Sequence, residues 1–301
     1  MEISPAARLA RIRWRALALA VRPRTLTCAL VPVLLGTAAA ARLGSARAAV
    51  AAACLLCALL IQIGTNLVND YADAERGADT ADRLGPTRVA QSGLADPRTV
   101  KRWAAGAFAL ALVPGAYLAA VAGWPLLIVG ALSMLAGYAY TAGPFPLGYH
   151  GLGDVFVLVF FGWVATLGAC WAQSGALPAV AWAAAAPAGC LATAILAVNN
   201  LRDAPTDAAA GKRTLAVRLG TRAARIEICA LVAIALAAGP AIFALGLAGA
   251  WASLPLCAAP LAIKPLQLVL GASGRALNEA LAGTARLHLA VGTLLALGLV
   301  L

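Results

Sequence analysis

Two short stretches of this chain put carboxylates and carboxamides where hydrocarbon would otherwise continue. The first reads Asn66-Leu67-Val68-Asn69-Asp70-Tyr71-Ala72-Asp73, with Asp79 shortly after it. The second reads Asn199-Asn200-Leu201-Arg202-Asp203-Ala204-Pro205-Thr206-Asp207. Both carry Asn-x-x-x-Asp, so Asn66 and Asp70 match Asn199 and Asp203. Each closes a long apolar segment, and carboxylates are costly and rare near a bilayer interior unless they have a task. On a helix, positions i, i+4 and i+7 share a face, which places Asn66, Asp70 and Asp73 on one stripe. Asn199 and Asp203 form a second stripe, with Asp207 one turn further. Hard oxygen ligands suit Mg²⁺, which keeps several waters and is commonly bridged to phosphate oxygens. Basic residues follow each cluster: Arg83 and Arg88 after the first, Lys212 and Arg213 after the second. Arg grips phosphate oxygens in pairs, whereas Lys acts as a point charge. One such cluster is equally well explained by helix caps and solvated charges. Two, facing one cavity, would hold Mg²⁺ against a diphosphate.

The elements that carry these motifs are set by composition. Apolar residues make up 62 % of the 301 and charged residues 12 %, against roughly 25 % charged in a soluble domain. A soluble core of this size could not absorb that much apolar surface, so the chain reads as one integral membrane domain over residues 1–301. Spanning takes roughly 20 apolar residues per helix. Nine stretches meet that rule, near 25–42, 48–69, 103–121, 124–142, 153–172, 179–199, 225–246, 249–270 and 281–301. Backbone groups in lipid must be satisfied internally, and no alternating barrel pattern is present, so the fold class is all-α: a nine-helix polytopic bundle around a central cavity. All seven cysteines fall inside these stretches and read as small buried hydrophobes; Cys54-x-x-Cys57 has redox spacing but lies mid-helix.

Basic residues set the orientation. Six of the 23 Lys and Arg lie in residues 1–24, six between the second and third spans, and six from Arg202 to Arg225, between the sixth span and the start of the seventh. Such residues concentrate in cytoplasmic loops, which puts the N-terminus and both acidic motifs on the cytoplasmic side of the cell membrane. The net charge of +11 then reports orientation and affinity for anionic lipid, and no nucleic-acid partner is invoked. Residues 1–24 form a basic cytoplasmic segment, with 6–20 read as an amphipathic helix on the membrane surface.

With these residues in hand, the chain resembles the UbiA superfamily of intramembrane aromatic prenyltransferases, most closely the branch that prenylates 1,4-dihydroxy-2-naphthoate in menaquinone synthesis. The resemblance runs through Arg22-Pro23-Arg24-Thr25-Leu26, Asn66 to Asp79, Arg83-Leu84-Gly85-Pro86-Thr87-Arg88 and Tyr140-Thr141-Ala142-Gly143-Pro144-Phe145-Pro146-Leu147-Gly148-Tyr149. It continues through Gly151-Leu152-Gly153-Asp154, Asn199 to Asp207 and Ala210-Gly211-Lys212-Arg213-Thr214-Leu215. The superfamily places a third acid four residues after the second; here that position is Gly77, and Asp79 takes the part. Pro205 disfavours helical geometry at Ala204, so the sixth helix is expected to end or kink before Asp207.

The resemblance implies transfer of a polyprenyl group from polyprenyl diphosphate to the naphthoate, with loss of diphosphate and CO₂, giving demethylmenaquinol. It implies Mg²⁺ on Asp70, Asp73, Asp79, Asp203 and Asp207. Arg22, Arg24, Asn69, Arg83, Arg88, Asn199, Asn200, Lys212 and Arg213 would contact substrate, and Asn66 and Tyr140 would stand near the reacting carbon. Tyr138, Tyr140, Phe156, Phe160 and Trp163 are aromatic faces that could stabilise an allylic cation, or plain packing. Asp154 reads as a cap for the fifth span or a contact to the aromatic acid. Lys264 and Arg286 reach an interface or face the cavity. Another aromatic acceptor, such as 4-hydroxybenzoate or a specialised phenolic, is the alternative of the same chemistry. A transporter is disfavoured because it would carry polar groups near the midplane in inverted repeats.

Overall fold

The computed structural model describes residues 14, 16–78 and 84–301, and among these every regular element is helical. The helices are α1 Thr27–Ala41, α2 Ala48–Glu75, α3 Pro97–Ala122, α4 Pro125–Ala139 and α5 Gly153–Ser174. They continue with α6 Ala179–Ala209 and α7 Leu215–Ala244, then α8, made of Ala250–Ala258 and Pro260–Gly271 joined at a 47° bend, and α9 Leu277–Val300. Local chemistry sets several starts. The Asp96 carboxylate accepts the Arg98 N–H at 2.7 Å with Pro97 opening α3, an N-cap followed by the proline that a first turn tolerates.

Six of the described helices are long and apolar enough to span, and α8 makes a seventh if its bent halves form one crossing. α1 and α4 hold 15 residues each. At 1.5 Å per residue that is about 22 Å, short of a hydrocarbon core of about 30 Å. Six to seven of the nine expected segments therefore reach spanning length by themselves.

The sixth helix corrects an expectation. It runs unbroken through Pro205 to Ala209, carrying Asp207 in its last turns. Pro205 removes one backbone donor, and the Thr206 hydroxyl, bonded to Asp203 O at 2.9 Å, helps keep that turn closed.

Among the helices of spanning length, α6 and α9 are the most enclosed. α1 packs on α5 and α9, α2 on α3, and α6 on α7. α5 and α6 meet backbone to backbone: a Cβ on Gly162 would stand 3.0 Å from the Gly189 Cα, and one on Gly189 only 2.6 Å from Leu158 O. Small residues bring membrane helices this close. Beside the contact, Leu158–Val164 winds as a π-helix, the wide turn that recurs at functional sites. α4 buries none of its residues and is the outer wall. The described part of the N-terminal segment is helical over 16–21 and buries Ala16 and Ala20 against Leu67, Val68 and Tyr71 of α2. The rest of the expected surface helix lies outside the described residues.

Candidate active site

A cavity of about 930 Å³ runs between α1, α2, α3, α4, α5 and α6. Its polar end gathers Arg22, Asn66, Asn69, Asp73, Arg88, Tyr140, Asn199, Asn200, Lys212 and Asn278; the remainder is lined by groups such as Val33, Cys54, Leu112, Leu118 and Leu126. Among the described residues, Asp73 is the one carboxylate on its wall. No residue of α7 or α8 lines it.

The first motif sits in the last turns of α2, and its four Asn and Asp side chains do different things. Asp73 is buried; its Oδ2 accepts from Arg88 Nη2 at 3.0 Å and its Oδ1 from the Tyr149 hydroxyl at 2.8 Å. Asp70 turns away from the cavity: Oδ1 accepts the Ala90 N–H at 2.9 Å and Oδ2 the Val89 N–H at 3.0 Å. It thereby fastens the loop that carries Arg88. Asn66 donates to Val21 O at 3.0 Å and to the Thr25 hydroxyl at 3.1 Å, holding the segment in which Arg22 adopts a left-handed φ of 53°. Asn69 accepts the Thr141 hydroxyl.

The second motif is built round a residue that reading for acids passed over. Arg202 is 1 % exposed. Its Nε and Nη2 close on Asp203 Oδ1 and Oδ2 at 2.8 and 2.5 Å, Nη2 also reaches Asn199 Oδ1 at 2.7 Å, and Nη1 reaches Asn278 Oδ1 at 2.8 Å. Asp203 is thus committed to its chain neighbour and does not line the cavity. Asp207 stands 3.6 Å from Lys212 Nζ, and its buried Oδ2 finds no hydrogen-bond partner. Asp73 and Asp207 lie within electrostatic range of each other, and Lys212 acts on both.

Tyr149 joins the halves. Besides its bond to Asp73, its ring lies under Arg76 at 5.3 Å and Lys212 at 5.6 Å, distances at which a cation is attracted to a ring face. Tyr140 is seated by two glycines: a Cβ on Gly153 would stand 2.8 Å from its hydroxyl oxygen, and one on Gly148 3.1 Å from its ring. Tyr140, Phe156 and Phe160 line the cavity, as does Phe161, which sequence reading did not single out; Tyr138 and Trp163 do not. The π-turn suits the pair: with more residues per turn, neighbouring Phe160 and Phe161 lie closer in angle than on an α-helix, and both line the cavity.

Other expectations resolve simply. Arg213 is exposed and offers its backbone N–H to Tyr149 O at 2.9 Å. Asp154 caps nothing: the N-cap position is Leu152, without a side-chain bond, and the buried Asp154 Oδ1 has no partner. Lys264 pairs with Glu279 at 2.5 Å on the exposed surface, and Arg286 is exposed. The cysteines are all unpaired. Asp79, Arg83 and the Arg24 side chain lie outside the described residues. Of the groups missed, Arg202 had a signal, an arginine inside an apolar-flanked acidic motif. Asn278 had none.

The donors present fit a divalent cation. Asp207 offers a buried, unsatisfied carboxylate oxygen, and Asp73 faces the cavity nearby. No group of three or more His, Cys, Asp or Glu side chains gathers as a metal cage among the described residues. Mg²⁺ needs none, since it is typically held by one or two carboxylates with water and substrate phosphates completing its shell.

Residues 29–290 match the UbiA prenyltransferase family. A 1,4-dihydroxy-2-naphthoate octaprenyltransferase of Mycobacterium tuberculosis is 44 % identical, the match covering 81 % of this chain and 82 % of the relative. The protein of that name in Escherichia coli is 41 % identical, covering 83 % of each. A UbiA homologue of Archaeoglobus fulgidus, solved with DMAPP and Mg²⁺, shares the fold at a TM-score of 0.60 and 18 % identity, over 93 % of this chain and 98 % of that one. Motifs, bundle and relatives agree, and the chain belongs to the UbiA prenyltransferase family.

Proposed function

We propose that this prenyltransferase moves a polyprenyl group from polyprenyl diphosphate to 1,4-dihydroxy-2-naphthoate, releasing diphosphate and CO₂ and giving demethylmenaquinol. The observation that carries the reading is the shape of the cavity: a cationic end with Arg22, Arg88 and Lys212 around Asp73, continued by a long apolar trough. The relatives named for the naphthoate acceptor support the choice of ring.

In this reading Arg88 and Lys212 grip the diphosphate, and Asp73 and Asp207, with Asp79, hold Mg²⁺. The metal, when bound, takes up charge that builds on the leaving oxygens. Asp70 and Asp203 serve through what they fasten, the Arg88 loop and Arg202. The allylic C–O bond breaks with its electron pair going to the diphosphate oxygen. The apolar wall keeps water from the cation, and the faces of Tyr140, Phe156 and Phe160 stabilise it. The ring then forms the new C–C bond and its carboxylate leaves as CO₂. Asn199 and Asn200 line the acceptor side of the polar end, and Asn66 holds the Arg22 segment over it.

All nine helices cross the cell membrane in this proposal, with the N-terminus and both motifs cytoplasmic. α1 gains length from the 3₁₀ turn Pro23–Thr25 ahead of it, and the 6, 6 and 6 grouping of basic residues supports the orientation. The test is an assay of the purified protein in detergent with Mg²⁺, several prenyl diphosphates and a panel of aromatic acids, read by mass spectrometry. Prenylated, decarboxylated naphthoate is the expected product. Prenyl transfer to 4-hydroxybenzoate alone would overturn the acceptor assignment.

A further inference from the structure

Asn278 lies in the first turn of α9, 76 residues from Arg202, and both ends of its carboxamide are used. Its Oδ1 accepts from Arg202 Nη1 at 2.8 Å, and its Nδ2 donates to Leu84 O at 2.9 Å. Leu84 is followed by a stretch whose far end is fixed to α2. There the Val89 and Ala90 amides sit on Asp70, and Arg88 sits on Asp73. Residues 84–90 are therefore strung between α9 and α2, and Pro86, Thr87 and Arg88, between the tethers, face the cavity. Backbone fixed at one end only must be ordered each time a ligand is gripped, and that entropy weakens binding.

We propose that Asn278 is a positioning residue that holds the 84–90 loop so that Arg88 is aimed at the diphosphate before substrate arrives. The proposal rests on the diphosphate reading above. It also joins the two acidic motifs mechanically, because the same carboxamide supports Arg202 and with it Asp203.

Two variants separate these links. Asn278→Ala loses both bonds. Asn278→Asp keeps an acceptor for Arg202 but, ionised, offers Leu84 O no donor. Hydrogen exchange of the full-length protein in detergent should show the Val89 and Ala90 amides exchanging about tenfold faster in both variants, the loss expected for one ordinary hydrogen bond. The α6 segment around Asp203 should stay protected in Asn278→Asp. Affinity for farnesyl diphosphate with Mg²⁺, by calorimetry, should fall by about the same factor in both. Unchanged exchange in Asn278→Asp would overturn the tether, and faster exchange with unchanged affinity would overturn its role in positioning Arg88. Neither readout needs turnover. An enzyme inactive on every acceptor would sink the proposed reaction while leaving this inference to its own two measurements.

Discussion

The Tyr149 hydroxyl donates to Asp73 Oδ1 across 2.8 Å while Arg76 and Lys212 stand over the same ring. One side chain thus ties the α2 carboxylate to two cations from separate stretches of chain. Tyr149→Phe keeps the ring and removes only the donated bond. A hydrogen bond to a charged group contributes about 1.5–3 kcal/mol, so kcat/KM for the prenyl diphosphate should fall roughly 10- to 150-fold. The unfolding temperature should also drop by a few degrees, because the same bond holds the resting fold. Wild-type kinetics in this variant would show that the bond plays no part in the reaction.

Asp70→Ala, Asp73→Ala, Asp203→Ala and Asp207→Ala should each abolish turnover with the protein still inserted, for two different reasons. Loss of Asp73 or Asp207 should raise the Mg²⁺ concentration needed for any residual activity. Loss of Asp203 strands the buried Arg202 guanidinium, a cost of about 3–5 kcal/mol, so the unfolding temperature should drop. Metal titration and thermal unfolding separate the pairs. An Asp203→Ala enzyme as active as wild type would end the idea of a shared site.

Lys212 reaches Asp207 and, if it neutralises the diphosphate, its effect should grow as charge builds on the leaving group. Interactions that strengthen in the transition state raise kcat, whereas uniform ones alter only KM. One such contact in a dry site is worth about 2–4 kcal/mol, or roughly 30- to 1000-fold. Lys212→Ala should therefore lower kcat strongly, with a smaller effect on KM for the aromatic acid. An unchanged kcat with poorer membrane retention would make Lys212 a lipid contact instead.

Gly153→Ala places a methyl 2.8 Å from the Tyr140 hydroxyl oxygen, so the ring has to move. Overpacking of this kind costs about 1–3 kcal/mol, and a misplacement near 1 Å at a reacting centre can cost about a hundredfold in rate. Gly153→Ala should resemble Tyr140→Phe in its kinetic loss toward the aromatic acid, with KM for the diphosphate preserved. Normal turnover would remove Tyr140 from the reaction.

The orientation is tested by labelling a single cysteine at Ala210 in a cysteine-free background. It should react only from the cytoplasmic face. Reaction from outside would invert the topology and with it the direct access of cytoplasmic substrates.

Much of this was legible in the sequence because hydrocarbon dictates it: apolar runs located the helices, and the acids stood out against them. Helix ends were less legible. α7 begins at Leu215 but kinks at Gly220, where φ is 84°, well before the apolar run at 225; Arg218, Arg222 and Arg225 make these turns polar, and there hydropathy carries no signal. Spacing placed Asp70 and Asp73 near one another but could not tell that Asp70 is spent on amides 19 and 20 residues downstream. Nor could it show that Arg202 folds back on its own neighbour, since that depends on the absence of water around it. Asn278 was invisible, as its partners are brought to it only by the fold.

The cavity has a direction as well as a volume. It follows α2 from Asp73 to Cys54, about 28 Å at 1.5 Å per residue, close to the thickness of the hydrocarbon layer itself. In the proposed topology a prenyl chain lying along it would run parallel to the surrounding acyl tails, with its reactive head at the level of the lipid headgroups. The product then needs no reorientation to leave. Under the proposed reaction it would step sideways into the bilayer already aligned with the acyl tails, so release would be a short lateral move within one phase.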